Sequence, residues 1–163
     1  MIALRPIRDA DLPIFFEHQR DPVACRMAAF THADPDDRAA FDAHWARILS
    51  NPGIVNRTIV ELTDAAAALG HVAAFEEEGR WEVTYWIARA HWGRGIASAA
   101  LALLLREFDT RPVFARAASD NLASIRVLEH CGFVAIATER GYANARGAEI
   151  EETLFRLAGA EAR

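Results

Sequence analysis

Along the first seven residues, IALRPI (2–7), apolar and polar positions alternate, which predicts a strand. The spacing then turns helical. Leu12, Phe15, Phe16 and Gln19 share one face, Asp9 or Asp11 is available as a cap, and the run ends near Asp21-Pro22. A loop carrying Cys25, Met27 and Phe30 leads to a second helical stripe, Phe41, Trp45, Ile48 and Leu49. Asp34 is its expected N-cap, Pro35 its first helical residue, and Asp36 and Asp37 suit its positive end. Asn51-Pro52-Gly53 stops it.

The period changes again in the middle of the chain. RTIVEL (57–62), HVAAFE (71–76) and WEVTYWIA (81–88) read as strands joined by TDAAAALG and by EEGR. Connections this short imply an antiparallel meander. A helix from Gly95 to about Phe108 precedes the strand 113–118. A short helix, 121–130, ends at Cys131-Gly132. Two last strands, 133–139 and 150–157, flank a Gly-Tyr-Asn loop. The strand–helix–strand unit 81–118 needs a right-handed crossover, so strands 81–88 and 113–118 should run parallel. The expected fold is α/β: a mixed, mostly antiparallel central sheet of about seven strands. No repeat, low-complexity tract or linker interrupts it, so residues 1–163 are expected to form a single domain.

Composition narrows the function. A chain of 163 residues that is 52% hydrophobic and 25% charged suits an ordinary globular domain. A net charge of −5 argues against nucleic acid as a partner. The longest apolar run, Ile96–Leu105, is too short to span a membrane, and MIALRPIRDADL lacks a secretory core. A cytoplasmic protein with two reduced thiols, Cys25 and Cys131, and no membrane partner is expected. His18, His32, His44, His71, His91 and His130 show no metal-ligand spacing, so no metal is expected.

The chemistry concentrates in WEVTYWIARAHWGRGIASAALALLL (81–105), where a glycine-rich basic turn joins a strand to a helix. Helix N-termini carry unpaired N–H groups and partial positive charge, so phosphates bind there. Gly93 and Gly95 let the backbone approach an anion, and Arg89 and Arg94 add charge; a plain tight turn is the other reading. The turn lacks the Gly-Lys-Ser/Thr of a nucleoside-triphosphate loop and the third glycine of a dinucleotide loop.

Trp92-Gly93-Arg94-Gly95-Ile96-Ala97 resembles the phosphate loop of the GNAT superfamily of acetyl-CoA-dependent N-acetyltransferases, with Trp92 at the Gln/Arg place. NLASIRVLEHCGF (121–133) is similar to a second segment of that family, and LRPIRDADL to its ribosomal-protein N-terminal acetyltransferase branch. The resemblance implies helices on both sheet faces and a V-shaped split between strands 81–88 and 113–118. It implies that Trp86, Ile87 and Ala88 hold pantetheine and that Trp92 to Ser98 hold pyrophosphate: Trp92, Gly93, Arg94, Gly95, Ile96, Ala97 and Ser98. Asn121 is a helix cap that can also touch acetyl-CoA.

Acetyl transfer to an amine needs a base, an oxyanion donor and a hydroxyl for the leaving thiolate. Glu82 is the preferred base, with Glu139, Glu151 and Glu152 as weaker candidates. The resemblance implies the Ile87 N–H as oxyanion donor. The family's tyrosine, seven residues after the helix-capping Asn, is Leu128 here; Ser124, on the same helical face, is assigned to the thiolate. Tyr142 is a candidate for the acceptor entrance, and Glu76 to Glu78 read as a solvated turn that could draw a cation. The expected function is direct transfer from acetyl-CoA to a primary amine, by a monomer or homodimer. Peptide termini, polyamines, amino acids and amino sugars stay open as acceptors. A non-catalytic acyl-CoA sensor is the rival of another class.

Overall fold

Alternating apolar residues pair into one sheet in the computed structural model, which describes residues 1–159. The strands are β1 (Ile2–Arg5), β2 (Val55–Glu61), β3 (Asp64–Glu77), β4 (Arg80–Ile87), β5 (Val113–Ala118), β6 (Val134–Ala143) and β7 (Ala148–Leu157). Their order is β1-β2-β3-β4-β5-β7-β6, antiparallel throughout except for β4 beside β5. The helices are α1 (Leu12–Gln19), α2 (Pro22–Ala28), α3 (Arg38–Ser50), α4 (Ile96–Glu107) and α5 (Leu122–His130).

Side-chain alternation assigns the two faces. Val72, Ala74, Val83, Ile87, Val113, Ala115 and Phe155 form the main core with Ile96, Leu101 and Leu104 of α4 and Leu128 of α5. The opposite face carries a second cluster, Phe15, Phe16, Phe41 and Trp45, under α1 and α3. Gly70 lets β3 and β4 approach there, because a Cβ at that position would collide with the Trp86 carbonyl oxygen.

The chain departs from the sequence pattern at several places. Residues 22–28 form α2 rather than a loop. The Asp21 carboxylate accepts from the Val23 and Ala24 N–H groups and Pro22 takes the first helical position, so the dipeptide that ends α1 also starts α2. The cap of α3 is Asp37, which accepts from the Ala40 N–H, while Asp34 closes a turn onto the Asp36 N–H. β3 begins at Asp64, so most of the supposed TDAAAALG connection is strand: pairing with β2 overrides the weak strand preference of alanine. β6 runs through Gly141 and Tyr142 to Ala143, paired with β7, and the hairpin loop is 144–147.

Asp11 does not cap α1. Its carboxylate takes both terminal nitrogens of Arg5 at 2.7 and 2.8 Å, the Thr58 hydroxyl at 2.7 Å and the Arg8 N–H at 2.8 Å. Burial pushes this carboxyl up, but Arg5, the Arg8 N–H and Thr58 more than offset it and hold it below its ordinary value. The group pins the start of α1 to β1 and β2.

Candidate active site

β4 and β5 share a single register pair, Glu82 with Phe114, and diverge beyond it. The edge of β4 from Val83 to Ile87 is therefore free of a partner strand. The Ala88 N–H donates to the Leu69 carbonyl. By the alternation of an antiparallel ladder, the N–H groups of Ile87, Tyr85 and Val83 point away from β3 and into the split. The Ile87 carbonyl accepts from the Trp92 indole N–H at 2.9 Å. Trp92, where the family has Gln or Arg, thus ties the glycine turn to the end of β4.

Gly93 and Gly95 have φ of 76° and 72°, and open space lies where a Cβ would stand. Gly95 is the N-cap of α4, and the helical ladder starts with the Ala99 N–H on its carbonyl. The N–H groups of Ile96, Ala97 and Ser98 therefore lack helical acceptors, a cradle that fits a pyrophosphate. The Ile96 side chain is buried in the main core, so only its backbone can take part. Neither predicted arginine is unpaired: Arg94 donates to Glu61 at 2.7 Å and contacts His91 Nδ1 at 3.0 Å, and Arg89 meets Asp21 at 2.7 Å.

On the α5 side, Asn121 caps the helix by accepting from the Ser124 N–H, and its amide donates to the Met27 carbonyl. The Ser124 hydroxyl lies 2.6 Å from the Tyr85 hydroxyl. Sequence reasoning missed Tyr85. Its place two residues from Val83 and from Ile87, both facing the main core, was the signal that it points toward α5. Burial pushes the Tyr85 phenol up to about 12, against the lowering effect of its bond to Ser124. Leu128, at the family's tyrosine position, is fully buried.

Glu82 is only 8% exposed and accepts from Arg116 Nε at 3.0 Å. Arg116 also reaches Glu139 at 2.9 Å and Glu152 at 3.4 Å. Two of the weaker base candidates therefore join Glu82 around one guanidinium. Glu151, on the opposite side of β7 from Glu152, does not belong to the group. Burial pushes the Glu152 carboxyl above its ordinary value, despite the pull of Arg116. Glu77, Glu78 and Arg80 border this cluster, so the turn read as solvated forms part of its rim. Tyr142 is 62% exposed on β6.

Next to Glu82 on the same sheet face, a cavity of about 570 Å³ lies between β2–β4 and α1–α3. Thr84 and Trp86 of β4 form one wall, and Phe75, paired in register with Glu82, lies at its near end. Phe15, Trp45 and His71 pack together within it in tilted and edge-on pairs, with ring centroids 4.8 to 5.3 Å apart. His32 and His44 meet edge-on at 4.9 Å. This gathering of histidines was invisible in the sequence, because their positions show no shared spacing. Burial holds His71 neutral, its pKa pushed down to about 3, and lowers that of His44 as well. The Trp86 indole N–H is buried without a partner. Among the described residues, no cluster of His, Cys, Asp or Glu is placed to hold a metal ion, and no helix is long and apolar enough to cross a membrane.

Residues 2–134 match the family model described as the acetyltransferase (GNAT) domain. The chain is 27% identical over 163 residues to the uncharacterized N-acetyltransferase p20 of Bacillus licheniformis, covering 96% of this chain and 92% of that protein. The fold is similar to spermidine N-acetyltransferase from Vibrio cholerae in complex with CoA and spermine. That match has a TM-score of 0.81 and 14% identity, covering 98% of this chain and 96% of that one. It is also similar to Mycobacterium smegmatis RimJ in complex with CoA-disulfide, with a TM-score of 0.79 and 20% identity, covering 96% of this chain and 81% of that one.

Proposed function

The chain belongs to the GNAT family of acetyl-CoA-dependent N-acetyltransferases, and from that premise we propose that it transfers acetyl directly to a primary amine, both substrates meeting at the β4–β5 split. The observation that carries this reading is the unpaired β4 edge leading into the open glycine turn, with a carboxylate and a hydroxyl pair beside it. Acetyl-CoA supplies an activated acyl group as its thioester. The β4 edge and the N-terminus of α4 hold its pantetheine and pyrophosphate.

Glu82 accepts the ammonium proton, directly or through water, because an alkylamine with a pKa near ~10 is almost fully charged at neutral pH. The amine nitrogen then forms a bond to the acetyl carbon. The Ile87 N–H meets the carbonyl oxygen as its charge develops. The carbon–sulfur bond breaks with its electron pair on sulfur, and the nitrogen gives up its second proton to the departing sulfur or to solvent. Ser124 donates to the resulting thiolate; Tyr85, protonated across the physiological range, has a proton it can give to the Ser124 hydroxyl oxygen 2.6 Å away, which leaves the serine proton free.

A second reading of the base is Glu152. Burial raises its proton affinity, and it shares Arg116 with Glu82.

The test is release of free thiol from acetyl-CoA by the purified protein with peptide, polyamine, amino-acid, amino-sugar and aromatic amines. Thiol release matched by acetylated amine, with no acetylated protein when amine is omitted, is the expected result. Acetyl-protein accumulating without amine would overturn direct transfer. Binding of acetyl-CoA with no turnover of any amine would favour a sensor.

A further inference from the structure

We propose that the cavity beneath α1–α3 receives the body of the acceptor, and that this body is an uncharged aromatic group carrying a single primary amine, not a polycation. The proposal rests on the reading above that the β4–β5 split is the site of transfer.

Position comes first. Thr84 and Trp86 wall the cavity, and the same stretch of β4 presents its free backbone edge to the split. A molecule in the cavity is therefore separated from the thioester site only by the thickness of one strand edge. Phe75 lines the end nearest Glu82, its register partner. A ring in the cavity thus places an attached aminoalkyl group toward the carboxylate proposed to deprotonate it.

Lining and charge decide the class. Aromatic rings, among them Phe15, Phe41, Trp45, Phe75 and Trp86, share the walls with three histidines and uncharged polar groups such as Gln19 and Asn56, and among the described residues no Asp, Glu, Lys or Arg lines the cavity. Its volume of about 570 Å³ lies within the range of small-molecule pockets, with room for one- and two-ring ligands. Aromatic faces can attract a cation. Here, however, the imidazole of His71, tilted against Phe15 and edge-on to Trp45, is held in its neutral form by burial. A second ammonium carried into the cavity would meet the same desolvation with no carboxylate to offset it. Of the carboxylates nearby, Glu82, Glu139 and Glu152 are held by Arg116, and Glu77 and Glu78 stand on the rim of that cluster, outside the cavity.

The experiment compares kcat/KM for phenethylamine and tryptamine with that for spermidine, in the wild-type protein and in Ala73→Phe. Ala73 lines the cavity, and a phenyl ring there fills the space claimed for the acceptor. We expect the aromatic amines to be preferred over spermidine by at least ~10-fold, the scale of a modest hydrophobic-pocket discrimination. Ala73→Phe should lower the aromatic rates at least ~10-fold while the acetyl-CoA-induced rise in Tm persists, showing a folded protein with its acetyl-CoA site intact. Equal or better turnover of spermidine would overturn the acceptor class and leave the acetyltransferase reading standing. Wild-type aromatic rates in the Ala73→Phe protein would overturn the location. If no amine is turned over, the acetyltransfer reading fails and calorimetry on the CoA-loaded protein judges the cavity alone. Saturable phenethylamine binding that Ala73→Phe abolishes supports it, and no binding overturns it.

Discussion

On the α4 and α5 side of the split, the groups proposed to hold acetyl-CoA are mostly main-chain: the outward N–H groups of β4, the open turn at Gly93 and Gly95, and the free start of α4. On the α1–α3 side they are side chains drawn from helices, loops and three strands, such as Phe15, Phe30, Trp45, His71 and Trp86. The difference suits the two substrates proposed. A phosphate and an amide-rich arm are met by backbone N–H and C=O, which every residue owns, so the requirement on sequence is only that side chains stay out of the way. An acceptor without repeated polar groups must be recognised by shape and polarity, which only particular side chains supply. Changes on the first side should therefore damage turnover with every amine, and changes on the second should reorder the amines.

The largest effect is expected from Gly95→Val, which puts a branched side chain at a left-handed position and into the open space of the turn. It should abolish the acetyl-CoA-induced rise in Tm and turnover with all amines alike. A retained Tm shift would break the comparison, because the backbone cradle would then not be the binding element.

Glu82→Gln lies where the two sides meet and should lower kcat/KM by roughly 10²–10⁴, the range for loss of general-base help. The defect should shrink as pH rises toward the amine's own pKa near ~10, since solvent then supplies neutral acceptor. Acetyl-CoA affinity, followed by the Tm shift, should hold. A wild-type rate at neutral pH would move the base role to Glu152, and Glu152→Gln should then show the pH-dependent defect.

The smallest effect belongs to the hydroxyl pair. Ser124→Ala should lower kcat by about 10-fold or more, within the lower reach of acid–base assistance. Tyr85→Phe should do so less, because Ser124 keeps its own hydroxyl. Both should act equally on good and poor acceptors and leave acetyl-CoA binding in place. Unchanged kcat in Ser124→Ala would mean that the thiolate is protonated by solvent and that the pair is packing.

The same division governs what could be read in advance. The β4–turn–α4 unit and the α5 segment were legible because their constraints are local. Two glycines at positive φ, a cap at Asn121 and a strand entering a helix all appear within a few residues. The parallel pairing of β4 and β5 followed from crossover geometry. α2 was missed because the Asp21-Pro22 signal that closes one helix is chemically the same signal that opens the next. Asp34 was preferred to Asp37 as a cap because both carry the same carboxylate, and only the path of the turn decides which one reaches a free N–H.

By itself the sequence determined the seven strands in their order along the chain, the helices other than α2 and the open glycine turn, because periodicity and glycine placement act over neighbouring residues. Only the tertiary structure decided the rest. Arg116 gathers Glu82 with Glu139 and Glu152 from two other strands, and Tyr85 reaches Ser124 across 39 positions of chain. His71 packs against Phe15 and Trp45 from separate helices. Such contacts depend on how the strands pair and which helix covers which face. Their energies come from burial and from charge at short range, and neither quantity is defined until distant segments meet.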